Sequence, residues 1–250
     1  MRRTSPALLL ALTLAACAGG SGGGGSSGSS NGPVSSIGNS SEKVIDAAMQ
    51  ASMPDVALRV ATEQTKSDPH NASAFASQGD AYRAMGRDRE AEASYSQALA
   101  IQPSDVRAGI GKGAILLRRD PAGAEAVFRQ VLAQHPHDAQ ALTDLGVAED
   151  LLDEHAKAQA AYREALAAQP GQRAATADLG LSLALSGDFT AAMALLQPLA
   201  NDGSASRRER DNLALALQLT GRDADARRIL GEEMSDADAS ATLAAYRLLR

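Results

Sequence analysis

Apolar and small residues return in the same order along most of this chain, with a period of 33 or 34 residues. Four prolines mark the period, at Pro69, Pro103, Pro136 and Pro170. Between one proline and the next, apolar residues recur at the three- and four-residue spacing of an amphipathic helix, in two runs separated by a turn. The pattern therefore predicts a pair of helices in each period and an all-α protein.

Each period combines one small residue with several large ones. The small residue is expected to let the two helices of a pair cross closely. Large residues such as Tyr95, Phe128 and Tyr162 are expected to fill the layer between pairs, so most aromatic rings are interpreted as core. The small residues at this position are Gly79, Gly113, Gly146, Gly180 and Ala214.

This repeating unit resembles the tetratricopeptide repeat, a helix-turn-helix unit of 34 residues. The resemblance implies five repeats over residues 72–234, a degenerate repeat over 42–71 before them and a capping helix over 235–250. The implied fold is an α-solenoid superhelix. Because one repeat alone cannot bury its apolar face, such a fold is stabilised by the stacking of neighbours.

The beginning of the chain carries a different signal. Two arginines precede an apolar stretch over residues 7–16, which is too short to span a bilayer. Leu14-Ala15-Ala16-Cys17 resembles a bacterial lipobox. The resemblance implies a signal peptide over residues 1–16, acylation of Cys17, and a lipid anchor to the membrane. Because Ala18 rather than Asp follows, it also implies the periplasmic face of the outer membrane. The alternative is a chance cysteine after an ordinary export signal.

Residues 17–41 are predicted to form a flexible linker behind the lipidated cysteine. Nine Gly and nine Ser stand among the 24 residues from Ala18 to Ser41. Such a composition buries too little apolar surface to offset the entropy cost of ordering. The linker would let the repeats reach a volume near the membrane.

Composition and charge exclude several classes of function. The formal net charge of −6 argues against binding to a nucleic-acid backbone. A single cysteine rules out a disulfide framework and any zinc site with several cysteines.

Short motifs in the chain point to no chemistry. The stretch from Gly109 to Gly113 superficially resembles a phosphate-binding loop, but no Ser or Thr follows Lys112. A locally soft helix or a close backbone approach is the favoured interpretation. We predict no catalytic residue, no cofactor and no bound metal, and hence no enzyme.

The polar candidates are also interpreted structurally. His135 and His137 flank Pro136 in a turn without nearby cysteines, which argues against a metal site. His155 is expected in a solvent-facing turn. Asp178 and Asp211 are interpreted as isolated acids on helical surfaces.

The remaining candidate site is a groove lined by the first helix of each repeat. The basic residues that bind a partner's terminal carboxylate in some tetratricopeptide arrays are missing here, so the groove suits an amphipathic helix or an extended apolar peptide. The alternative is that Ile110, Val147 and Leu181 are simply buried by the curvature of the superhelix. The residues predicted to contact a partner are Asp80, Arg83, Ile110, Ala114, Val147, Asp150, Leu181, Asp211, Leu215 and Gln218.

Two segments near the end of the chain carry a closer resemblance. Arg210–Leu217 with Gly221-Arg222, and Met234–Arg250, look like the TadD family of lipoproteins in tight-adherence (Flp) pilus assembly. The resemblance implies a pilotin-like adaptor whose partner is the outer-membrane secretin or another pilus-assembly component. Alternatives are a type IV pilus pilotin, an accessory protein of the β-barrel insertion machinery, and a scaffold for a cell-wall hydrolase.

Overall fold

A computed structural model describes residues 33–232 and 234–246, with side chains from residue 40 onward. Throughout this part of the chain every regular element is an α-helix, which confirms the predicted all-α class. The helices are α1 (Pro33–Gln50), α2 (Pro54–Ser67), α3 (Ala72–Ala84), α4 (Asp88–Ile101), α5 (Val106–Leu116), α6 (Pro121–Gln134), α7 (Ala139–Leu151), α8 (His155–Ala168), α9 (Arg173–Leu185), α10 (Phe189–Ala200), α11 (Arg207–Leu219), α12 (Asp223–Leu230) and α13 (Asp236–Tyr246).

Helix ends follow the local sequence. The four periodic prolines each fall in a turn between successive helix pairs. Asn71 caps α3, with its Oδ1 accepting a hydrogen bond from the Ala74 N–H at 2.9 Å. Ser206 and Glu209 form a reciprocal capping box at the start of α11. Short polar turns therefore set the boundaries of the helices.

The first helix differs from the sequence prediction. α1 begins at Pro33, inside the segment that was expected to be flexible up to residue 41. Proline is well suited to the first turn of a helix, where its missing N–H costs nothing. Ile45 and Ala48 bury against Ala57 and Ala61 of α2, and a helix nucleated there can extend toward its N-terminus at little cost. The predicted signal peptide and Cys17 lie outside the described residues.

The chain divides into two compact units, residues 17–115 and the part from residue 116 onward. In the first unit α1 to α4 pack on one another in chain order. Its core consists of small residues around one ring. Tyr95 is fully buried among Ala76, Ala91, Ala98 and Ala108.

The second unit holds α6 to α13. Consecutive helices pack together, and the first helices α7, α9 and α11 also pack directly on one another. The core is rich in leucine, with Phe128 and Tyr162 fully buried. α13 packs on α11 and α12, and its Leu243 and Tyr246 are buried. Tyr246 therefore belongs to the core of this unit.

Glycines in the first helices allow rings to approach the backbone. A Cβ atom added to Gly146 would lie 2.6 Å from Tyr162 Cε1, and one added to Gly79 would lie 2.5 Å from Tyr95 Cε1. Gly111 of α5 meets the same Tyr95 ring. The predicted close crossing is confirmed at Gly79 and Gly146, and the close approach at Gly111 explains one glycine of the 109–113 stretch, which is helical.

Candidate functional site

The surface formed by α7, α9 and α11 is called here the first-helix face of the second unit. Three apolar residues predicted to line a groove on it, Val147, Leu181 and Leu215, are only 3%, 6% and 5% exposed. They are buried because neighbouring first helices pack directly on one another. For Val147 and Leu181, the structure has the burial that the sequence analysis held as the alternative.

The other predicted contact residues are polar or half-buried. Asp150 and Gln218 are buried in the second unit, and Asp211 is half-buried on α11. In the first unit Arg83 is exposed on α3, and the half-buried residues are Asp80, Ile110 and Ala114. Which of these ten residues touch a partner stays a prediction.

In the first unit, the acid at this position is balanced by cations. Asp80 accepts hydrogen bonds from the Tyr95 hydroxyl and from Nε of Arg107. Arg107 also donates to Ser77 Oγ at 3.2 Å, and Arg83 Nε donates to the Tyr95 hydroxyl at 3.4 Å. Desolvation, reinforced by the Asp80 charge, raises the pKa of Tyr95 and keeps its hydroxyl a donor.

In the second unit, Asp150 is the centre of a buried hydrogen-bond network. Its carboxylate lies 2.7 Å from His155 Nδ1, and it accepts from the Ser182 hydroxyl at 2.7 Å and from the Tyr162 hydroxyl at 3.0 Å. The network connects α7 to α8 and α9. The hydrogen bond to Asp150 raises the pKa of His155. The prediction that His155 faces solvent is wrong, because the side chain is half-buried against this carboxylate.

Asp178 on α9 is a second buried acid on the first-helix face. Its Oδ1 accepts from Arg208 Nη2 at 2.6 Å, and its Oδ2 is buried without a hydrogen-bond partner among the described residues. Desolvation raises the pKa of Asp178 to about 6; Arg208 opposes the rise and the charge of Asp150 adds to it. The interpretation of Asp178 as an isolated surface acid is wrong, since it is only 3% exposed.

Asp144 on α7 completes this group and was missed by the sequence analysis. It is half-buried, and both of its oxygens accept from Nε2 of Gln140 at 3.0 Å. Within the described residues it forms no ion pair. Desolvation raises its pKa to about 7, Gln140 opposes the rise, and the charge of Asp178 adds to it. A sequence signal existed: Asp144 and Asp178 are 34 residues apart, one full repeat.

We call Asp144, Asp150 and Asp178, with Arg208, the acidic cluster of the first-helix face. Its three carboxylates share one arginine, and His155 adds a second positive charge only when protonated. Over the described ranges, no group of three or more His, Cys, Asp or Glu side chains is arranged to hold a metal ion. The arrangement offers hydrogen-bond acceptors and negative charge.

No helix in the described part of the chain has the length and apolar character needed to cross a bilayer.

A family model described as tetratricopeptide repeat matches residues 45–106, 116–158 and 152–206, which together make up more than half of the chain. The chain belongs to the tetratricopeptide repeat family. The matches leave out residues 107–115, most of the glycine-rich helix α5. Proteins of this repeat fold are typically non-catalytic adaptors that bind other proteins.

Solved tetratricopeptide-repeat structures share the fold. PilF from Pseudomonas aeruginosa is 14% identical with a TM-score of 0.69, and the match covers 86% of this chain and 99% of PilF. PilW, described as a widely conserved type IV pilus biogenesis factor, is 24% identical with a TM-score of 0.62, covering 86% and 94%. MamA from Desulfovibrio magneticus RS-1 is 22% identical with a TM-score of 0.57, covering 68% and 94%.

At these identities the likeness shows the tetratricopeptide-repeat fold alone. No curated protein matches the sequence of this chain significantly.

Proposed function

We propose that this tetratricopeptide-repeat protein is a lipid-anchored adaptor that acts like a pilotin in the assembly of a tight-adherence (Flp) pilus. The observation that carries the adaptor role is the repeat itself, which extends over more than half of the chain and forms a helical scaffold suited to protein binding. The partner would be the outer-membrane secretin or another component of pilus assembly.

The anchor in this proposal is the acylated Cys17, placed after a signal peptide over residues 1–16. Two or three acyl chains would hold the protein firmly at the periplasmic face of the outer membrane, since each buried methylene contributes about 0.8 kcal/mol. The glycine- and serine-rich residues from Ala18 to Gly32 would connect the anchor to α1.

The assignment to the tight-adherence system rests on the sequence of the last helices. The residues that resemble the TadD family include Arg210–Leu217 and Met234–Arg250, and the first of these segments is the core of α11. The second candidate is a type IV pilus pilotin, favoured by the fold shared with PilF and PilW over 86% of this chain. The two candidates differ in which secretin depends on the protein.

The proposal is tested by deleting the gene in its host and measuring the ratio of multimeric to monomeric secretin in the outer membrane. We expect the multimers to fall several-fold, to return with the wild-type chain and to stay low with Cys17→Ser. Dependence of a type IV pilus secretin would select the second candidate. Normal multimers of every secretin in the deletion strain would contradict a pilotin role.

A further inference from the structure

The acidic cluster of the first-helix face has more negative charge than its own residues neutralise. Arg208 pairs with Asp178 only, at 2.6 Å, and Asp144 has a neutral amide as its hydrogen-bond donor. Carboxylates that are removed from water without a cation are costly, and the cost falls when a cation is supplied. The cluster is therefore short of one positive charge.

A second observation indicates where that charge would come from. Asp178 is 3% exposed, and its Oδ2 has no hydrogen-bond partner within the described residues. Native proteins satisfy almost all buried polar atoms, so such an orphaned oxygen is a position where a donor is missing. Asp144 on the neighbouring helix is partly open to solvent, and Gln140 beside it is exposed. A donor can therefore approach along α7.

We propose that the first-helix face of the second unit binds an arginine side chain of its protein partner between Asp144 and Asp178. A guanidinium presents five N–H donors in a planar fork, which suits two carboxylates on adjacent helices better than a single ammonium does. The orphaned Oδ2 of Asp178 would gain a donor, and Asp144 would gain an ion pair.

This inference rests on the proposed adaptor function and specifies the chemistry of its partner. The partner segment would carry arginine, in contrast to the apolar peptide expected from the sequence. The reason is that Val147, Leu181 and Leu215 are buried, so the accessible part of this face is charged. Electrostatic complementarity of this kind mainly sets specificity and the rate of encounter.

The test uses two synthetic peptides and the purified full-length chain. One peptide is acetyl-Ala-Leu-Arg-Leu-Ala-amide, and the other has citrulline in place of arginine, which keeps the shape and removes the charge. Binding is measured at pH 8 and low salt by chemical-shift changes of backbone amides. We expect the arginine peptide to bind roughly tenfold more tightly, a difference of about 1.4 kcal/mol, with the largest shifts in α7 and α9.

Two variants of equal charge change decide the site. Asp144→Asn should abolish the preference for arginine, while Glu164→Gln, at an exposed position on α8, should keep it. Circular dichroism checks that both variants fold. Equal binding of the two peptides, no binding of the arginine peptide at millimolar concentration, or an unchanged preference in Asp144→Asn would each overturn the proposal. Because no secretin is present, the result is independent of the secretin test above.

Discussion

The two units use the same packing device but surround it with different charges. In both, a tyrosine of the second helix lies against a glycine of the first helix, Tyr95 against Gly79 and Tyr162 against Gly146. In both, the tyrosine hydroxyl donates to an aspartate of that first helix. The difference lies beyond the hydroxyl: Asp80 has Arg107, whereas Asp150 lies close to the charge of Asp178.

This difference separates what the fold requires from what a partner could use. The ring and the glycine are needed wherever two helices cross closely, so they occur in both units. The charges around the aspartates are free to vary between repeats. In the first unit they are balanced, and in the second unit they leave acceptors for an outside cation.

The largest expected effect breaks the shared device. Gly79→Ala and Gly146→Ala would each place a Cβ atom about 2.5 Å from a buried ring. We expect each to lower the free energy of unfolding by about 2 kcal/mol, because overpacking costs about 1–3 kcal/mol and exceeds the gain in helix propensity. Chemical denaturation of the full-length chain measures this.

The matched control is Gly203→Ala, where no atom lies within 4 Å of the added Cβ. Its unfolding midpoint should stay close to that of the wild type. Gly180→Ala meets Leu196 instead of a ring, and a smaller loss is expected because an aliphatic side chain can repack. Equal stability of wild type, Gly79→Ala and Gly146→Ala would contradict the packing argument.

The second prediction sets the two acids against each other. The pKa of Asp144 is about 7 in the folded chain and near 3.8 when unfolded, so the folded state binds more protons between these values. Stability therefore falls as pH rises through this window. Asp144→Asn should increase the free energy of unfolding at pH 8 by about 1–2 kcal/mol and change it little at pH 5.

Asp80→Asn should act in the opposite direction at pH 8. It removes the acceptor of Tyr95 and the ion-pair partner of Arg107, so a loss of about 1 kcal/mol is expected. Thermal unfolding of both variants at pH 5 and pH 8 gives the comparison. If both substitutions destabilise the chain at pH 8 to the same extent, the two acids do not differ as described.

The smallest expected effect concerns the two hydroxyls. Tyr162→Phe should cost about 1 kcal/mol, because it removes a buried donor from Asp150. Tyr95→Phe should cost less, about 0.5 kcal/mol, because Arg107 still donates to Asp80. Denaturation of the two variants under the same conditions measures the difference. A greater loss in Tyr95→Phe would reverse the order and contradict the balance assigned to the first unit.

The sequence predicts the periodic features of this fold and misses features that depend on depth. The helix pairs, the cap at Asn71 and the close crossings at Gly79 and Gly146 follow from local patterns. The register also placed Leu181 on a first helix, but it could not show that neighbouring first helices bury it. Asp178 was misinterpreted for the same reason, since an acid on a helix is exposed or buried only according to what packs against it.

The most direct test of the central claim asks which face of the second unit touches the partner in living cells. A photo-crosslinking amino acid is placed at exposed Gln140 on α7, whose amide donates to Asp144, or at exposed Glu164 on α8. The account predicts that position 140 crosslinks to the secretin and position 164 does not. Crosslinks from position 164 alone, or equal crosslinks from both positions, would contradict binding at the first-helix face.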